Sequence, residues 1–152
     1  MTIEGSTATN GDGGALYLDN VYNVSIKNST FRSNSASNDG GALYFTCTST
    51  TYKCTVSLNG TRLHGNQAGR SGGGIYWEEV EPIMTTIDYN SNTAEIYGND
   101  IGCFSQRLGM LDATNTSLRM LTTEATTETE EPNFRSGGTL PSMQIALLDK
   151  YG

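Results

Sequence analysis

The chain has 152 residues, enough for one domain and a tail, and its 36% hydrophobic content, 18 glycines and three prolines suit short strands joined by many tight turns. Its formal net charge of −7 disfavours nucleic acid and anionic lipid surfaces as partners, because phosphate backbones and acidic head groups are repelled. No apolar run approaches the roughly 18 residues that a membrane-spanning helix needs, so no transmembrane segment is expected.

Taken in chain order, Met1-Thr2-Ile3-Glu4-Gly5 has neither a basic start nor an apolar stretch and does not read as a signal peptide. Beyond it the chain is internally repetitive. Gly13-Gly14-Ala15-Leu16-Tyr17 returns as Gly40-Gly41-Ala42-Leu43-Tyr44, then as Gly72-Gly73-Gly74-Ile75-Tyr76, and in degraded form as Gly98-Asn99-Asp100-Ile101; the intervals are 27, 32 and 26 residues. Ahead of the last three copies stands a second element at a fixed distance: Phe31-x-x-Asn34-x-Ala36, Leu63-x-x-Asn66-x-Ala68 and Tyr89-x-x-Asn92-x-Ala94. No such element is readable before Gly13, so the chain is expected to open inside a coil, as a piece of a longer protein.

A period in this range marks a solenoid or array. The apolar residues alternate, as in Leu16-x-Leu18, Val24-x-Ile26 and Val56-x-Leu58, and no helical period competes with them over 1–103. Short strands stacked coil on coil give an all-β, right-handed parallel β-helix of about four coils. The glycines supply positive φ and close backbone approach at one corner. Asn34, Asn66 and Asn92 stack at another, where a side-chain amide can bond its neighbours along the stack. In the strand after the glycines, Leu16 and Leu18 align with Leu43 and Phe45, Ile75 and Trp77, and Ile101 and Cys103, and these are assigned to the core. The opposite parity carries Asp100, and an aspartate is costly to bury without a partner. Tyr17, Tyr44 and Tyr76 therefore form an outward aromatic ladder, a candidate stripe for docking glycans or cell-surface proteins, or alternatively a stack that stiffens the solenoid.

The long interval holds Cys47 and Cys54, which flank Thr48–Lys53. A disulfide clipping this bulge is expected in an oxidising compartment, with Cys103 left as the odd cysteine. Sequons at Asn23, Asn28, Asn59 and Asn115 are candidate N-glycosylation sites if the chain is secreted.

The paired Phe-x-x-Asn and Gly-Gly-Ala-Leu-Tyr elements resemble the polymorphic outer-membrane-protein repeat of chlamydiae, which also occurs in very large surface proteins of ciliates and other protists. The resemblance covers roughly residues 7–103. It implies a pectin-lyase-like β-helix, display at the cell surface or in the extracellular space, and adhesion. Residues 136–152 resemble the start of a following β module.

Residues 104–135 are expected to be a linker, Thr/Glu-rich through Glu124, Glu128, Glu130 and Glu131, and 136–152 the first strand of a further β domain cut short. No catalytic, cofactor or metal constellation is found. Asp12 and Asp39 fall at equivalent positions before the glycines and read as turn residues, with Ser71 breaking the series. His64, the sole histidine, is expected in a solvated turn. The leading expectation is a non-catalytic structural or adhesive module, flanked by other domains of the same polypeptide. The alternatives are a truncated β-helix polysaccharide lyase or hydrolase, and a glycan- or ice-binding solenoid whose Thr-x-Thr pairs, Thr7-x-Thr9 and Thr46-x-Thr48, are not aligned.

Overall fold

The computed structural model describes residues 1–104 in full and, as backbone, three strands beyond them. Two compact units divide between Phe104 and Ser105. In the first, every repeat is one turn of a parallel β-solenoid. The first coil comprises β1 (Thr2–Glu4), β2 (Thr7–Ala8), β3 (Leu16–Asp19) and β4 (Val24–Lys27). The second comprises β5 (Thr30–Arg32), β6 (Ser35–Ala36), β7 (Leu43–Thr46) and β8 (Val56–Asn59). The third comprises β9 (Arg62–His64), β10 (Gln67–Ala68), β11 (Ile75–Trp77) and β12 (Ile83–Thr85), and the fourth β13 (Asp88–Asn90), β14 (Thr93–Ala94) and β15 (Ile101–Cys103). Equivalent strands stack into four parallel sheets, β1-β5-β9-β13, β2-β6-β10-β14, β3-β7-β11-β15 and β4-β8-β12. No helix occurs among the described residues.

The register shows that the first coil carries a copy of the second repeat element after all. Ile3 pairs with Phe31 and Ala8 with Ala36, so Ile3-x-x-Ser6-x-Ala8 is the missing copy. Ser6 stands where later coils have Asn, and four residues rather than three separate Ala8 from Gly13. Those two departures hid it.

Columns of inward side chains fill the solenoid. Phe31, Leu43, Phe45, Leu58, Leu63 and Ile75 are fully buried. Leu18, Phe45, Trp77 and Cys103 form one column, and Leu16, Leu43, Ile75 and Ile101 another. Each large apolar side chain so buried contributes about 1.5–3 kcal/mol. Ile3, Leu16, Leu18 and Val24 of the first coil continue these columns and are partly buried.

The paired glycines have separate tasks. Gly13, Gly40, Gly72 and Gly98 all hold φ between 66° and 71°. Gly14, Gly41 and Gly73 lie so close to the next coil that an added Cβ would meet its backbone within 2.3 Å. In the fourth coil that second position is Asn99, which no described coil overlies.

In the second unit, β16 (Arg107–Leu111) pairs antiparallel with both β17 (Leu118–Met120) and β18 (Gln144–Leu148). β16 and β17 fall within 104–135, the stretch expected as a linker, and β18 within 136–152, the stretch expected as the first strand of a further β domain. A five-residue apolar strand such as Gln144–Leu148 gains its hydrogen bonds only by pairing, and the apolar run at Arg107–Leu111 offers the complementary edge. The Glu-rich run lies outside the described residues.

Candidate functional site

Two polar ladders run along the solenoid. In the first, Asn34 and Asn66 are essentially unexposed. The Asn66 Oδ1 accepts both the backbone N–H of Asn34 at 3.1 Å and its Nδ2 at 2.9 Å. Asn92 Oδ1 accepts the same pair from Asn66, at 3.0 and 2.9 Å. Each amide also donates to a carbonyl of the coil before it: Asn34 to Ile3, Asn66 to Phe31 and Asn92 to Leu63. A buried amide with all its groups satisfied avoids the roughly 1–3 kcal/mol cost of each unpaired one. At the near end Ser6 enters only through its N–H, bonded to Asn34 Oδ1. At the far end the chain supplies its own cap. Asp100 Oδ1 accepts Asn92 Nδ2 at 2.9 Å, and Asn99 Oδ1 accepts the Ala94 N–H at 3.0 Å, where a further coil would otherwise bond.

The second ladder is acidic. Asp12 Oδ1 accepts the Asp39 N–H, and Asp39 Oδ1 accepts the Ser71 N–H. Both carboxylates thus brace turns. Burial pushes the Asp39 carboxyl above the usual range, opposed by Arg70 and by the bond from Ser71.

The tyrosine rings of the glycine-following strands stack, with centroids 5.0 Å apart for Tyr17–Tyr44 and 5.8 Å for Tyr44–Tyr76. They are not an open stripe. Tyr17 is 54% exposed, but Tyr44 and Tyr76 only 7% and 5%. Burial first, then hydrogen bonds to Glu78 and to Tyr97 respectively, push the Tyr44 and Tyr76 phenols far above their ordinary value. Alternation says which way a side chain points; it does not say what later folds against it.

Cys47 and Cys54 are joined by a disulfide, and Cys103 is buried in the core. Nine residues connect β7 to β8 where four connect β3 to β4, which accounts for the long interval between repeats. The extra residues fold against Asn20. Its Oδ1 accepts the N–H groups of Thr48 and Ser49, and its carbonyl accepts the Tyr52 hydroxyl at 2.6 Å. Tyr52 meets Tyr22 edge to face at 6.2 Å. Asn20, Tyr22 and Tyr52 carried no role in the sequence. The only signal for them was the length of the interval itself.

The remaining candidate residues occupy corners, one strand and a shallow groove. Asn23, Asn28 and Asn59 are exposed, the first two at positive φ in corners; Asn115 lies outside the described residues. His64 sits on β9 rather than in a turn, with Nε2 3.0 Å from Asp88 Oδ2, because its column position follows Arg32 on β5. The groove, of about 340 Å³, crosses the outer face of the sheet β2-β6-β10-β14, with Thr7, Thr9, Ser35, Ser37, Gln67 and Glu95 along it. Its hydroxyl rows run through two coils only, and Thr46 lies on a different sheet. Among the described residues no group of three or more His, Cys, Asp or Glu is arranged to hold a metal, and no helix is long and apolar enough to cross a membrane.

Compared with known proteins, residues 28–46 match the family model of the Chlamydia polymorphic membrane protein repeat. That stretch holds Phe31, Asn34, Gly40 and Gly41, one rung of the ladder and one glycine corner. No curated protein and no solved structure was found to match the chain.

Proposed function

We propose that this chain, a parallel β-solenoid carrying a polymorphic membrane protein repeat, is a non-catalytic structural and adhesive module of a surface or secreted protein. The observation that carries the reading is the coincidence of the matched residues 28–46 with three of the four strands of the second coil, β5 to β7, whose neighbours repeat them in register. The matched repeat is that of a Chlamydia polymorphic membrane protein, and this supports display at an outer membrane or cell surface. The fold supports the mechanical part. Stacked coils bonded along their whole length make a stiff spacer, and each coil adds about 4.8 Å of lateral surface. Asp12 and Asp39 brace turns and Asp100 caps the ladder, structural uses of these three carboxylates that support the non-catalytic reading.

The test is to immobilise the purified chain on beads and incubate it with cells and with acidic and neutral polysaccharides. Saturable attachment without new reducing ends or unsaturated products is expected. Release of cleaved sugar would overturn the non-catalytic reading, and absence of any attachment would overturn the adhesive one.

A further inference from the structure

Three tyrosines in the described residues are largely exposed, Tyr17 at 54%, Tyr22 at 71% and Tyr52 at 44%, and all belong to β3, the corner after it, or the disulfide loop. Exposed aromatic surface of this size serves no core, and four residues suffice to cross this corner in the first coil. The second coil spends nine, and it spends them on a platform held from several sides. Cys47 and Cys54 close it covalently. The Asn20 side chain holds Thr48 and Ser49, its carbonyl holds the Tyr52 hydroxyl, and Tyr52 packs on the edge of Tyr22. Asn20 and Asn23 sit at φ 49° and 58°, so the corner between them is a fixed turn. Tyrosines with few rotors, surrounded by Ser, Thr and Asn, make the kind of surface that protein-recognising loops use: large contact area at small entropy cost, with adaptable hydrogen bonds around it.

The charge around the platform selects the partner. Asp19 follows Tyr17 on the same outward parity of β3, and Asn20 Nδ2 donates to its carboxylate at 2.7 Å. Asp19, Asp12 and Glu78 all bear on the Tyr17 phenol and add to the effect of its partial burial in raising it. Lys53 is the single cation of the loop between the two cysteines. Aromatic faces beside carboxylates suit a guanidinium, which stacks on the ring and pairs with the acid.

We propose that Tyr17, Tyr22, Tyr52 and Asp19 form a docking site for an arginine-bearing segment of a partner protein. It names the contact point of the adhesive module and rests on that reading of the chain.

The experiment uses the full chain, oxidised and without N-glycans, because the Asn23 sequon directly follows Tyr22. Fluorescence anisotropy follows binding of octa-arginine, octa-lysine and cellohexaose at about 0.15 M salt, where exposed charges beyond about 8 Å are screened. Octa-arginine is expected to bind in preference to octa-lysine. In the Tyr22→Ser/Tyr52→Ser double variant, which also loses the Tyr52 bond to Asn20, it should weaken by about tenfold, the equivalent of two lost ring contacts, while the disulfide and the core columns keep the chain folded. Asp19→Asn, a variant outside the loop, should weaken it by a smaller factor. Equal binding of octa-arginine by the double variant and the parent would overturn the site, as would a preference for cellohexaose at the same tyrosines. Cell attachment separates this from the broader reading. If cells attach equally to parent and double variant, the site is wrong and adhesion stands; if octa-arginine needs the tyrosines but no cell attaches, the site stands and adhesion falls.

Discussion

Asp39 and Asn66 show how much single side chains contribute to this solenoid. Asp39 is 6% exposed and carries a bond from the Ser71 N–H that an amide oxygen accepts equally well. Its carboxyl is raised chiefly by desolvation, so the folded state holds this proton more tightly than the unfolded chain does. A group with a raised folded pKa contributes its full share below the unfolded value of about 3.9 and loses it as pH rises through the folded value. Asp39→Asn should therefore equal the parent in urea midpoint at pH 3 and exceed it at pH 7; a variant weaker at pH 7 would show that the Arg70 contact outweighs burial. Asn66 behaves oppositely. Asn66→Ala strands the Asn34 N–H and the Phe31 carbonyl inside the protein, and a loss of about 3 kcal/mol or more is expected. Asn66→Asp keeps an acceptor but cannot donate, and buries a charge, so it should lose at least as much.

The elements were legible in proportion to how rigidly stacking constrains their residues. Gly14, Gly41 and Gly73 recur because another backbone lies where a Cβ would be, and Asn34, Asn66 and Asn92 recur because each must bond both neighbours. Those demands repeat at a fixed interval and can be read directly. Ser6 escapes because it meets Asn34 through its backbone N–H, which any residue supplies. The hydrogen bonds of Tyr44 and Tyr76 with Glu78 and Tyr97 escape because those partners come from other segments. The Asn99 and Asp100 cap was visible only as a degraded glycine pair. It gives a prediction at this scale: Asp100→Ala should speed amide exchange in β13 and β14 while leaving β5 to β11 protected. Uniform change across all coils would argue against a local cap. The disulfide loop gives another. Closing seven residues of separation restricts the unfolded chain by about 2.5 kcal/mol. Cys47→Ser/Cys54→Ser should cost about that much in chemical unfolding, and should loosen Tyr22 and Tyr52 before the core columns.

For the molecule as a whole, stiffness and display come from one property, the register that places each residue above its counterpart one coil away. The core columns, the Asn ladder and the position of the tyrosine loop beside Asn20 are all consequences of it. The net charge of −7 adds a preference for cationic partners over acidic ones. If the register were different, the loop would face another neighbour and the functional reading would lose its basis.

The measurement that reaches this register most directly is an NMR search for scalar couplings across the ladder hydrogen bonds in the isotope-labelled chain. Couplings are predicted from the Asn34 backbone nitrogen to the Asn66 side-chain carbonyl carbon, and from the Asn66 nitrogen to that of Asn92. They should be accompanied by contacts along Ile3, Phe31, Leu63 and Tyr89. Missing couplings, together with antiparallel contacts between consecutive strands such as β3 and β4, would contradict the solenoid and the surface role built on it.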